Sequence, residues 1–112
     1  MWASFGDLPS DREPAQAFGK LTVVPDGCSL DADGALWAAD GLNGRVIRVK
    51  EGGEIVDEIV TGTGCFSCAL GGEDGKTLFV CLAPDFHEEA RKNARDASIA
   101  AVKVDVSHAG WP

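Results

Sequence analysis

Residues 65 to 83 read CFSCALGGEDGKTLFVCLA, and set beneath residues 25 to 40, PDGCSLDADGALWAAD, they repeat its plan. Cys28 and Cys68 are 40 positions apart, Leu30 and Leu70 also 40, Gly34 and Gly75 41, and Leu36 and Leu78 42. In each copy an apolar strand, a turn ending in Asp-Gly and a second apolar strand with an aromatic, Trp37 or Phe79, follow one another. Units of roughly 40 to 45 residues made of short strands are the pattern of propeller blades, each packing its faces on its neighbours. Two copies would also suit the two sheets of a sandwich; the agreement of turn, strand length and aromatic position favours blades.

Working outward, Cys28 to Leu30, Leu36 to Ala39, Arg45 to Lys50 and Glu54 to Val60 read as strands between Gly- and Asp-rich turns. Asn43-Gly44 and Gly52-Gly53 supply hairpin chemistry. Trp2 to Phe5 look extended, and SDREPAQ reads as a polar loop. One interruption breaks the meander, the charged stretch PDFHEEARKNARDA, which predicts a short helix near residues 86 to 96. Asp85 suits its N-cap, Glu88 and Glu89 its first turn, and Arg91, Lys92 and Arg95 its later part. The run SIAAVKVDV then returns to a strand, and SHAGWP closes the chain.

The chain has 112 residues, 45% hydrophobic and 25% charged, which predicts a single domain over 1–112. Its net charge of −8, without clustered Lys and Arg, argues against nucleic acid and anionic membrane surfaces as partners. No apolar run reaches the length of a membrane span and the N-terminus lacks the pattern of a signal peptide, so the expected location is cytoplasmic. Cys28, Cys65, Cys68 and Cys81 are expected to be reduced core residues. The C-x-x-C spacing of Cys65 and Cys68 is read as accidental, because residues three apart on a regular strand point to opposite faces. His87-Glu88 starts a zinc-protease motif that Arg91 interrupts, since a second His belongs there.

The aspartates of the first copy have different prospects. Aligned on an EF-hand loop from Ser29, Asp31, Asp33, Gly34 and Asp40 fall at useful positions, yet Ser stands first, Asp replaces the final Glu, and Pro25 and Gly27 stand where a helix belongs. Asp31 and Asp33 instead read as solvated turn residues, matched by the turn at Glu73 to Gly75. Asp26 differs, because the repeat aligns it with Phe66. It precedes the innermost strand of its blade and faces either the central channel or serves as a turn cap.

The stretches VPDGCSLDADGALWAAD, NGRVIRVKEGGEIVDEI, GTGCFSCALGGEDGKTLFVCLAPDF and AAVKVDVSHAG resemble the SMP-30/gluconolactonase (regucalcin-like) family. The resemblance implies an all-β fold, antiparallel four-stranded blades of a six-bladed β-propeller, of which about two are encoded here. WASFGD then looks like the outer strand of a preceding blade. It also implies a divalent metal, Ca2+ or Zn2+, in the complete protein, with Asp26 as metal ligand and catalytic residue. The metal would polarise the carbonyl of a small-molecule lactone under attack by water. Phe66 is the expected neighbour lining the substrate pocket. The family's Glu and Asn ligands belong to earlier blades and have no counterpart here. The expectation is therefore the C-terminal part of a lactonase, inactive alone and inclined to self-association through exposed blade edges; the alternative is a non-catalytic segment that binds ligands or handles calcium.

Overall fold

The computed structural model describes residues 1–110; Trp111 and Pro112, the end of SHAGWP and of the expected 1–112 domain, lie outside the described residues. Seven strands form two antiparallel sheets. The first holds β1 (Pro25–Leu30), β2 (Leu36–Asp40), β3 (Arg45–Val49) and β4 (Ile55–Val60) in the order β1-β2-β3-β4. The second holds β5 (Gly64–Gly71), β6 (Thr77–Ala83) and β7 (Ser98–Lys103) in the order β5-β6-β7. Each is a meander of sequential neighbours, joined by short turns except between β6 and β7, where residues 84–97 intervene. In the repeated hairpin turn the glycine takes a positive φ in both copies, 79° at Gly34 and 70° at Gly75, a conformation that a side chain disfavours.

The sheets are adjacent blades, closest where β5 lies against β1 and β2. Between them Trp37, Ala39, Val46, Cys65, Cys68, Leu70, Leu78 and Val80 form one core. Polar groups lock the same seam: the Leu70 amide donates to Ser29 Oγ at 3.1 Å, and the Cys68 thiol lies 3.4 Å from the Trp37 carbonyl oxygen. The other face of the first blade buries Ala38, Ile47 and Val49 under Val23, Ala3 and Phe5. Strand β2 is covered on both sides, which is why LWAAD is continuously apolar until Asp40 rather than alternating. The radius of gyration, 14.7 Å, exceeds the roughly 13 Å of a compact domain of about 100 residues, as suits an open wedge.

The repeat explains an otherwise odd distribution of burial. Trp37 is 2% exposed, while its counterpart Phe79 is 40% exposed; Leu70 is 4% exposed, while its counterpart Leu30 is 47% exposed. Trp37 and Leu70 face the seam between the blades. Phe79 and Leu30 occupy the same positions on the outward faces, where no blade lies.

Several expectations change. Cys28 and Cys81 are exposed rather than in the core, because they share those outward faces. Cys65 and Cys68 face the same core, contrary to the strict alternation expected of them, because a bulge between Cys65 and Ser67 inserts one residue and resets the phase. Asp31 is not solvated: it is fully buried and ion-paired to Arg48.

Trp2 to Phe5 form no strand; the Gly52 amide donates to the Trp2 carbonyl as the segment crosses the first blade. The polar loop contains a single-turn helix, α1 (Pro14–Phe18), with Pro near its start, where a missing N–H costs nothing. The one expected helix, near residues 86 to 96, shrinks to α2 (Glu88–Lys92), with His87 rather than Asp85 at the N-cap. Arg91 binds Asp85 and Asp96, which flank the helix, and so ties its ends together. The Glu88–Lys92 pair forms at 3.1 Å. No helix among the described residues is long and apolar enough to cross a membrane.

Candidate functional site

Both candidate site residues sit on matching irregularities. From Pro25 to Cys28 the first strand advances three residues while its partner moves from Asp40 to Ala38, so one extra residue lies at Asp26-Gly27. From Cys65 to Ser67 the partner moves only from Leu82 to Cys81, which leaves Phe66 as the extra residue. Bulges release a side chain from the alternation of its strand and re-aim it. Here each does so at the mouth of an innermost strand.

The structure thus brings Asp26 and Phe66 together. They share a hollow of about 380 Å³ with Phe18, Val24, Pro25, Gly41, Leu42 and Phe86. A second hollow, of about 550 Å³, continues past Phe66 along Asn43, Thr63 and His87. The rings of Phe66 and Phe86 meet edge to face with centroids 6.2 Å apart, and His87 stacks on Phe86 at 5.2 Å. The result is an apolar wall with Asp26 at the rim of the smaller hollow and Asp85, tied to Arg91, lining the larger. Phe86 and His87 belong to this wall and were not singled out from sequence as pocket residues, because their contact with Phe66 depends on how the chain turns after β6.

Asp26 is exposed, and its carboxylate has no hydrogen-bond or ion-pair partner among the described residues. The neighbouring aspartates are committed elsewhere. Asp40, fully buried, accepts from the Val24 amide at 2.9 Å, from Asn43 Nδ2 at 2.9 Å and from Arg45 Nε at 2.7 Å. It anchors the chain two residues before Asp26. Asp31 accepts from the amides of Asp33 and Ala35, at 3.0 and 3.1 Å, and from Arg48 Nε at 2.7 Å. The hydrogen bond to Asp40 raises the pKa of Arg45, with Glu58 adding to it, and the hydrogen bond to Asp31 raises that of Arg48. Among these four acids, Asp26 alone is both exposed and without a partner.

Cys65 and Cys68 are poor nucleophiles or metal ligands here. Burial pushes their thiols up, to about 11 and about 12. No group of three or more His, Cys, Asp or Glu among the described residues is placed to hold a metal ion. A calcium ion takes roughly six to eight oxygens and a zinc ion about three or four protein ligands. The donors gathered around Asp26 do not fit either ion.

Two antiparallel sheets packed face to face as adjacent blades define the class as a β-propeller. The chain belongs to the SMP-30/Gluconolactonase/LRE-like family, whose profile matches residues 4–84. It is similar to 6-deoxy-6-sulfogluconolactonase of Pseudomonas putida, 40% identical over 57 residues, covering 50% of this chain and 20% of that one. It is similar also to regucalcin of Xenopus laevis, 34% identical over 83 residues, covering 72% of this chain and 28% of the other. The chain therefore spans less than a third of the length of these curated relatives. A solved luciferin-regenerating enzyme superposes with a TM-score of 0.63 at 20% identity, covering 88% of this chain and 38% of that one, a likeness of fold.

Proposed function

We propose that this chain is part of a lactone-hydrolysing propeller, to which it contributes Asp26 as the hub-facing acid and Phe66 as an apolar wall of the substrate pocket. The observation behind this reading is the pair of matched bulges, which bring an unpartnered carboxylate and an aromatic ring to one hollow. A carboxylate at such a rim can accept a proton from water as the water attacks a lactone carbonyl, while a ring beside it excludes bulk solvent. The name of one relative, 6-deoxy-6-sulfogluconolactonase, supports sugar lactones as the substrate class. Metal dependence in the whole protein is part of the proposal only as one carboxylate from Asp26. No step is derived through an ion, because the donors present do not complete a site.

In this reading the monomeric chain does not turn over lactone. Its acid lacks a positioned partner to stabilise the negative charge that develops on the carbonyl oxygen. The alternative, a calcium-handling module, needs a cluster of ligands that the described residues do not assemble.

An NMR titration of the dilute, monomeric chain with an inert lactam analogue of gluconolactone tests the proposal. Amide shifts are expected around Asp26, Gly41 to Gly44, Gly62 to Phe66 and Asp85 to His87, and are expected to be lost in Phe66→Ala. Absent shifts, or shifts on the opposite end of the blades, refute it. Sustained hydrolysis of gluconolactone by the monomer refutes its incompleteness.

A further inference from the structure

The two hollows beside Asp26 form one surface, because Gly41, Leu42, Phe66 and Phe86 line both. Its floor is aromatic and fixed. A Cβ on Gly64 would lie 2.7 Å from Phe66 Cε2 and 2.5 Å from the Ala83 carbonyl oxygen, so the Phe66 ring rests against bare glycine backbone. Phe86 meets that ring edge to face, and His87 stacks on Phe86 with an angle of 27° between the planes. Asp26 lines only the smaller hollow and His87 only the larger, so the shared rings separate them.

A polar lock holds the His87 end in place. Asp85 Oδ1 accepts from the His87 amide at 2.9 Å, Arg91 Nε lies 3.1 Å from the same oxygen, and Arg91 Nη2 donates to Asp85 Oδ2 at 3.3 Å. The Arg91 amide in turn donates to the His87 carbonyl at 2.9 Å. Phe86 lies between the two residues so bound, and its ring stays at the hollow although it is 56% exposed. Two other side-chain donors on this surface are committed within the protein. Asn43 Nδ2 donates to Asp40 and to the Thr22 carbonyl, and the Thr63 hydroxyl donates to the Ala83 carbonyl at 3.3 Å. The His87 ring is exposed and makes no hydrogen bond among the described residues, which leaves its N–H for a ligand.

We infer that His87 is a specificity-determining residue of this site: it donates a hydrogen bond to a lactone hydroxyl remote from the carbonyl, which lies on the Asp26 side, while the C–H groups of the lactone ring lie on Phe66 and Phe86. Arg91, acting through Asp85, is the positioning residue. The inference rests on the lactone reading above and narrows it to lactones that carry hydroxyl groups on the side away from the bond that breaks. An aromatic ring has a negative face that suits C–H groups. An imidazole keeps an N–H in either protonation state. A site that hydrogen-bonds a substrate hydroxyl discriminates against the analogue that lacks it, because its own polar group is then left unpaired.

NMR titrations of the full chain with two inert probes test the inference: the lactam of gluconolactone, and δ-valerolactam, the same ring without hydroxyl groups. His87→Ala should weaken binding of the hydroxylated lactam by about 2- to 12-fold, the range for one hydrogen bond between uncharged groups, and leave that of valerolactam unchanged. Arg91→Ala should lose the same discrimination. In the free protein it should also move the Phe66 and His87 ring-proton resonances, whose positions the Phe86 ring sets. A purely stabilising Arg91 would lower the melting temperature and leave both the ring resonances and the discrimination as they are. Equal weakening of both probes in His87→Ala, or weakening of neither, overturns the inference and leaves the lactone reading standing. No shift with either probe in the wild type refutes the lactone reading and this inference with it. Should His87→Ala fail to fold by circular dichroism, the wild type decides: His87 ring protons should move with the hydroxylated lactam and not with valerolactam, and ring protons that stay still while amides around Asp26 shift refute the assignment.

Discussion

Replacing Gly27 by Ala tests the packing that places Asp26. A Cβ built on Gly27 would lie 2.4 Å from Ser67 Oγ, 2.8 Å from Ser67 Cα and 2.9 Å from Ser67 Cβ. The hydroxyl can rotate away, but the Cα is backbone of the neighbouring blade and must move. Forcing a methyl group into a packed seam costs about 1–3 kcal/mol. In a domain of this size 1 kcal/mol lowers Tm by about 4–8 °C, so Gly27→Ala should melt about 4–24 °C below wild type by circular dichroism. The sign is diagnostic. Gly27 has no positive φ, and at an unstrained position alanine for glycine would stabilise by about 0.4–1 kcal/mol through the unfolded chain. Adding Ser67→Gly removes two of the three clashes and should restore part of the loss, leaving the contact with Cα. A Gly27→Ala protein that melts at or above wild type would show that the blades do not approach this closely beside Asp26.

Four further outcomes follow from the same geometry. Arg48→Ala strips the buried Asp31 carboxylate of its cation and should cost about 1.5–3 kcal/mol in urea unfolding, the range for a hydrogen bond to a charged group, whereas Asp33→Ala should stay within about 0.5 kcal/mol. Leu78→Ala empties the centre of the seam and should cost about 2–5 kcal/mol by the same assay. Asp26→Asn, which breaks no hydrogen bond or ion pair among the described residues, should leave the melting temperature within a degree or two of wild type, while any stability change comparable to that of Arg48→Ala would assign Asp26 a structural role. The Cys65 and Cys68 thiols, raised from 9.0 to about 11 and about 12, ionise more readily in the unfolded chain than in the folded one. Their contribution to stability is therefore constant below about pH 9 and lost as pH rises towards about 12, a decline that a Cys65→Ala, Cys68→Ala double variant should lessen.

Propeller blades are supported by the sheet order, the family profile and the solved relative together.

The sequence by itself determined the strands, their turns and the repeat. These depend on local rules: side chains alternate along a strand, and Asp-Gly or Asn-Gly permits the turn between strands. It also distinguished Asp26 from its neighbours, because the repeat places Phe66 opposite it. Only the tertiary structure decided which apolar positions are buried. Leu30 and Leu70, or Trp37 and Phe79, are alike in pattern, and differ only in whether another blade lies over them. Likewise Asp31 resembled a solvated turn residue until Arg48, from a strand 17 positions away, closed over it. The single-residue bulges at Asp26-Gly27 and Phe66 were invisible for the same reason: a strand's phase is set by the partner it pairs with, and that register is a property of two strands rather than of one.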